Sequence, residues 1–124
     1  MSSISPNLTT QDERIAIRNT ILLPLMVTIC ENKVQEIERS KHTLKKLYAA
    51  ATELLMKQIA ADLVKTRRYL AEQKIKVFPD QENKLKCEYS FRGYRERMEL
   101  LRDLAKAEIE ERMGEYVARV MKLQ

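Results

Sequence analysis

Two groups of residues carry the chemistry this sequence offers. The first is a concentration of cations. Between residues 65 and 97 lie ten basic side chains, among them Arg67, Arg68, Lys74, Lys76, Lys84, Lys86, Arg92 and Arg95, against five acidic ones. The rest of the chain carries thirteen of each sign, so the whole formal charge of +5 resides in this segment. Lys74 and Lys76 alternate with Ile75 and Val77, and Lys84 and Lys86 alternate with Leu85 and Cys87, on either side of a run of turn formers at residues 78–83. On a two-stranded ribbon that alternation turns all four lysines to one face and the apolar residues to the other. Such a face could lie against nucleic-acid phosphates, with Arg92, Tyr94 and Arg95 adding guanidinium contacts or stacking, or against a protein partner. The competing reading is that exposed lysines simply keep a strand from pairing edge to edge with other chains.

The second group is polar residues set into apolar stripes. Asp62 falls in line with Leu44, Ala51 and Leu55, and Gln58, Thr66 and Tyr69 lie beside it. Glu108 and Arg112 fall in line with Leu101, Ala105 and Tyr116. Glu108 precedes Arg112 by four residues, the favourable orientation for an ion pair along one helix. Charged groups on seams of this kind pair across helices, for example Asp62 with Arg112, and set register and partner choice more than stability. An enzymatic reading would need Asp62 and Glu108 to act together as a carboxylate pair.

Little else supports catalysis. His42 is the one histidine, and it falls in a polar stretch that reads as a turn. Cys30 and Cys87 form no CxxC motif and have no histidine cluster, which excludes zinc-ligand spacing and a disulfide scaffold. Buried thiols in a reducing cytoplasm are the simpler expectation. Neither a metal nor an organic cofactor is implied, and no small-molecule substrate is evident. The methionines recur at helical spacing and read as core filling.

The elements that must position these groups are mainly helical. Glycine and proline are scarce, with two and three residues, so long uninterrupted elements are favoured. Residues 1–9 are polar and aperiodic and read as a flexible tail, leaving 10–124 as one domain. Thr10 and Glu13 have capping-box spacing and predict a helix starting near Gln11. Pro24 interrupts that helix by a kink or a restart. The run from Ile21 to Ile29 falls short of the ~20 apolar residues of a membrane span and follows two acidic residues, so it reads as a buried helix segment. Residues 38–43 carry no apolar side chain and form either a turn or a continuous helix. Leu44, Leu47, Ala51, Leu54, Leu55, Ile59, Leu63 and Leu70 mark a second helix at about 43–73. A β-hairpin is expected at about 74–91. Gly93 then punctuates the exit, and helical spacing resumes at Tyr94 and Met98 and continues across Gly114.

The expected fold class is therefore mainly α, a long-helix bundle with one β-hairpin inserted before the C-terminal helix. Helices of ~30 residues would be ~45 Å long, against a radius of gyration of about 14 Å for a compact chain of this size. Stripes that long have too little chain to cover them, which points to a homodimer. The expected function is a non-catalytic helical regulator or adaptor in the cytoplasm, acting through a macromolecular partner and not through a membrane. The alternative is nucleic-acid binding by the basic region 65–97.

Overall fold

A computed structural model describes residues 9–122. Among these the chain forms a first helix, α1 (Gln11–Arg39), a second, α2 (Lys45–Glu72), three strands, β1 (Lys76–Pro79), β2 (Lys86–Phe91) and β3 (Tyr94–Glu99), and a last helix, α3 (Arg102–Lys122). The fold is mainly helical, with a three-stranded antiparallel sheet in the order β1-β2-β3 set before the last helix. Of the expected tail, residues 1–8 lie outside the described residues, and Thr9 is buried.

α1 begins where its capping box places it. The Thr10 N–H donates to the Glu13 carboxylate at 2.8 Å, and the Glu13 N–H donates to the Thr10 hydroxyl at 3.1 Å. Pro24 lies inside α1 without ending it. The helix stops at Ser40, whose N–H and hydroxyl both donate to the Ile37 carbonyl. The reversal that follows is held by side chains: the His42 N–H donates to Ser40 Oγ at 3.3 Å, and the Leu44 N–H donates to His42 Nδ1 at 3.2 Å. Those bonds do the work that glycine or proline does elsewhere, and residues 40–44 form a turn between two separate helices. An 18-residue stretch of α1 has mean hydropathy 1.2, long and apolar enough to cross a membrane, and 39% of it is buried inside the protein.

α2 ends in a Schellman motif. The Ile75 N–H reaches the Leu70 carbonyl at 2.9 Å and the Lys74 N–H reaches the Ala71 carbonyl at 3.0 Å, with Lys74 in the left-handed region at φ 60°. The accompanying apolar contact is Ile75 with Leu70, both in the core. That core joins Ile17, Ile21 and Leu22 of α1 to Leu70, Cys87, Tyr89 and Phe91. A second cluster joins Leu23, Met26 and Cys30 of α1 to Ile59, Leu63 and Tyr116. α1 is thus the shared wall: the sheet packs on its first half, and α2 and α3 pack along both its first half and its middle.

The expected two-stranded hairpin is corrected to a three-stranded sheet. Tyr94 and Met98, assigned to the last helix by spacing, lie on β3, opposite Phe91 and Cys87. The turn joining β2 to β3 is a two-residue loop, Arg92 at φ 51° and Gly93 at φ 82°, the pair of positive angles that suits a tight antiparallel reversal. Helix resumes only at Arg102 and then runs through Gly114 as expected.

Candidate functional site

Strand register places the basic residues differently from a flat lysine ribbon. The outer face of the sheet carries three cross-strand rows: Lys76 with Ser90 and Arg95, Phe78 with Glu88 and Arg97, and Lys86 with Glu99. Val77, Cys87, Tyr89, Phe91 and Met98 form or pack against the core on the other face. Only Lys76 and Lys86 of the four lysines sit on strands. Lys74 occupies the left-handed cap of α2, and Lys84 lies in the turn before β2. The shared four-lysine face is corrected accordingly, because the turn formers at 80–83 take their own geometry. The Asp80 carboxylate accepts the N–H groups of Glu82 at 3.0 Å and Asn83 at 2.6 Å, and Asn83 Oδ1 accepts that of Leu85 at 2.9 Å. Those backbone bonds hold the Asp80 carboxyl below its ordinary value.

The outer face is mixed in charge. Arg95 donates to Glu88 at 3.2 Å and its guanidinium lies 4.5 Å from the centre of the Phe78 ring. Arg92, at the loop between β2 and β3, stands 5.6 Å from the Phe91 ring. Arg67 and Arg68 are both exposed near the end of α2. What the fold does bring together is Arg67, Lys74 and Lys76, on the rim of an open cleft of about 540 Å³ between the end of α2 and β1. Its apolar walls are Leu70, Ala71, Ile75, Val77 and Pro79. A smaller hollow of about 210 Å³ shares Thr20, Val77 and Pro79 with it and carries Lys84 and Lys86.

The polar seam forms, with partners that spacing alone did not identify. Glu108 is gripped from two helices: Arg18 of α1 donates Nε at 2.7 Å and a terminal nitrogen to its Oε1, and Arg112 meets Oε2 at 2.7 Å. Arg112 also donates to Asn19 of α1 at 2.5 Å. Asp62 accepts from the Tyr116 hydroxyl at 2.5 Å and from Arg119 at 3.3 Å. The Asp62–Arg112 pair offered as an example is therefore replaced by two separate clusters, because α3 runs parallel to α1 and antiparallel to α2. Arg18 beside it, then Arg112, hold the Glu108 carboxyl below its ordinary value. Burial and the Asp62 carboxylate raise the Tyr116 phenol and keep it a donor.

Asp62 binds at the level of Tyr116, eight residues along α3 from Glu108, or about 12 Å of helix rise. The two carboxylates therefore lie apart, Glu108 paired with Arg18 and Arg112 and Asp62 with Arg119. Among the described residues no group of three or more His, Cys, Asp or Glu side chains is placed to hold a metal ion. Cys30 and Cys87 are free and buried, and burial raises both thiols, Cys87 to about 11. Arg18, Asn19 and Arg119 are the seam residues that sequence reasoning missed. Arg18 and Asn19 directly follow the buried Ile17 on α1, and nothing in their spacing distinguishes them from surface polar residues.

Comparison with curated proteins finds no match, nor does comparison with solved structures. Comparison with protein families does: the pattern described as YhjD protein matches residues 8–121, almost the whole chain, from the capping box of α1 to the last turn of α3. A match of that extent covers every element described above, and the chain belongs to the YhjD protein family.

Proposed function

We propose that this protein is a non-catalytic regulator or adaptor of the cytoplasm that works as a homodimer, with the two copies meeting along the uncovered flank of α2. One observation carries the reading. α3 meets α2 at Asp62, through Tyr116 and Arg119. From Asp62 the same flank runs back at helical spacing through the half-buried Leu55 to Ala51, Tyr48 and Leu44, past the last described turn of α3, with Leu47 and Leu54 beside it. Leu44 is 47% exposed, Leu47 61%, Tyr48 42% and Leu54 38%. The adjoining side of α2, with Ala49, Ile59 and Leu63, is buried.

A second copy is the occupant that this stripe fits. Its apolar residues recur at intervals of three and four, the pattern that packs helix against helix. Two such stripes related by a two-fold axis at Ala51 bring small residues together at the crossing and set Leu47 of each copy against Leu54 of the other. Half-burying four such side chains on each copy gains roughly 8 kcal/mol in all, close to the lower part of the 4–15 kcal/mol that association costs. The dimer is therefore expected to dissociate on dilution. Light scattering over a concentration series tests this: the mass should rise from 14.6 kDa toward twice that value. Leu47→Glu should hold it at the monomer mass, and Leu104→Glu, equally exposed but on α3, should not. A wild-type mass of 14.6 kDa at the highest concentration would remove the proposal.

A second reading, sequence-tolerant nucleic-acid binding, is favoured by one feature: Lys76, Arg95 and Arg97 share the outer sheet face with the exposed Phe78 ring. It predicts single-stranded DNA binding that weakens steeply with salt. Binding that is absent at low salt, or unchanged when Lys76 and Arg97 become glutamine, would discard it.

A further inference from the structure

We infer that the cleft between the end of α2 and β1 is a binding site for a single-chain alkyl carboxylate, with the chain along its apolar walls and the carboxylate among Arg67, Lys74 and Lys76. This goes beyond the proposed function and is independent of it, since the cleft lies at the opposite end of α2 from the uncovered flank.

Three properties point to that ligand class. The volume, about 540 Å³, lies within the ~300–1,000 Å³ usual for small-molecule sites, and its walls are mainly apolar with a few charged groups at the edge. The rim is of one sign: three cations and, among the described residues that line it, no carboxylate. Neighbouring Lys84 and Lys86 extend the same sign along the adjoining hollow, where Asp80 is already engaged with two backbone N–H groups. The comparison within the molecule is informative. A cleft of similar size between α1 and α3, about 510 Å³ around Ile109 and Met113, is as apolar but lined by Arg102, Lys106 and Glu110, so its charge is mixed in sign.

The fold also builds this cleft at some conformational cost. Lys74 holds a left-handed backbone, where glycine is the usual residue and any other side chain costs about 1–2 kcal/mol. The lysine at that cap places a third cation beside Arg67 and Lys76. β1 cannot readily take a peptide strand along its open edge, because it is four residues long and ends in Pro79. An alkyl chain asks nothing of that edge.

Titration calorimetry on the full chain tests the inference, with sodium laurate, sodium decanoate, sodium acetate and dodecyltrimethylammonium below their micellar concentrations. Laurate should bind at one site per chain, and decanoate more than tenfold more weakly, since each buried methylene contributes about fourfold. Acetate and the cationic surfactant should not bind. Lys74→Gly, which relieves the left-handed backbone and so keeps the fold, should weaken laurate about tenfold by removing one charged contact. Ala71→Phe, on an exposed wall of the cleft, should abolish it. No laurate binding, equal binding of the cationic surfactant, or binding unchanged in both variants would overturn the inference.

Discussion

Replacing Glu108 by glutamine removes one charge from the junction of α1 and α3 and leaves two arginines facing an amide. In the native protein Arg18 and Arg112 each bond a different carboxylate oxygen, with side-chain exposures of 33% for Arg18, 21% for Arg112 and 23% for Glu108. Hydrogen bonds to charged groups contribute about 1.5–3 kcal/mol each. Glutamine keeps one acceptor oxygen but turns its NH2 toward a guanidinium. One charged contact is lost outright, and partial solvent access keeps the cost near the low end, about 2 kcal/mol. In urea, with m of about 2 kcal/mol/M, the midpoint should fall by about 1 M at neutral pH and matched protein concentration. The cost should also depend on pH. The folded state holds the Glu108 carboxyl below its ordinary value, so the contribution is complete above the unfolded value of about 4.3 and drains away as pH falls through the lowered folded value. Glu111→Gln, on an exposed turn of the same helix, should change stability by less than about 0.5 kcal/mol. Equal midpoints for the two variants, or a Glu108→Gln deficit as large at pH 3 as at pH 7, would refute the reasoning.

Two other consequences follow from particular positions. Gly114 lies inside α3, exposed, and a Cβ there would meet nothing within 4 Å, so Gly114→Ala should raise stability by about 1 kcal/mol in the same urea assay. Cys30 and Cys87 are buried with raised thiols, Cys87 to about 11, so a thiol reagent at pH 7 should label neither until the protein is unfolded.

The helices were legible because their signals are local. Thr10 and Glu13 announce the start of α1, and the stripe from Leu44 to Leu70 announces α2, whether or not the rest of the chain is known. β3 was not legible for a physical reason. Tyr94 and Met98 are spaced four apart and so satisfy the helical period, while with Glu96 they also satisfy alternation. The signal that decides between them is Arg92-Gly93, a two-residue loop between apolar-alternating runs, and it selects a strand once Gly93 is read as a left-handed turn residue. Asp62, Glu108 and Arg112 were visible as polar residues on apolar seams. Their partners depend on α3 running parallel to α1 and antiparallel to α2, a relation between distant elements that no spacing records. The cleft is of the same kind: Arg67, Lys74 and Lys76 stood out by charge, but their convergence requires the end of α2 and β1 to be placed together.

The meeting of two copies along α2 is tested most directly at Ala51, where the proposed two-fold axis crosses the helix. Both native thiols are buried, so a single cysteine introduced as Ala51→Cys would be the reactive one. Under mild oxidation at a concentration where the protein associates, that variant should form a disulfide-linked dimer, and Ala60→Cys, on an exposed part of α2 away from the stripe, should not. An Ala51→Cys protein that stays a monomer on a non-reducing gel, with its thiol still open to reagent, would contradict the account.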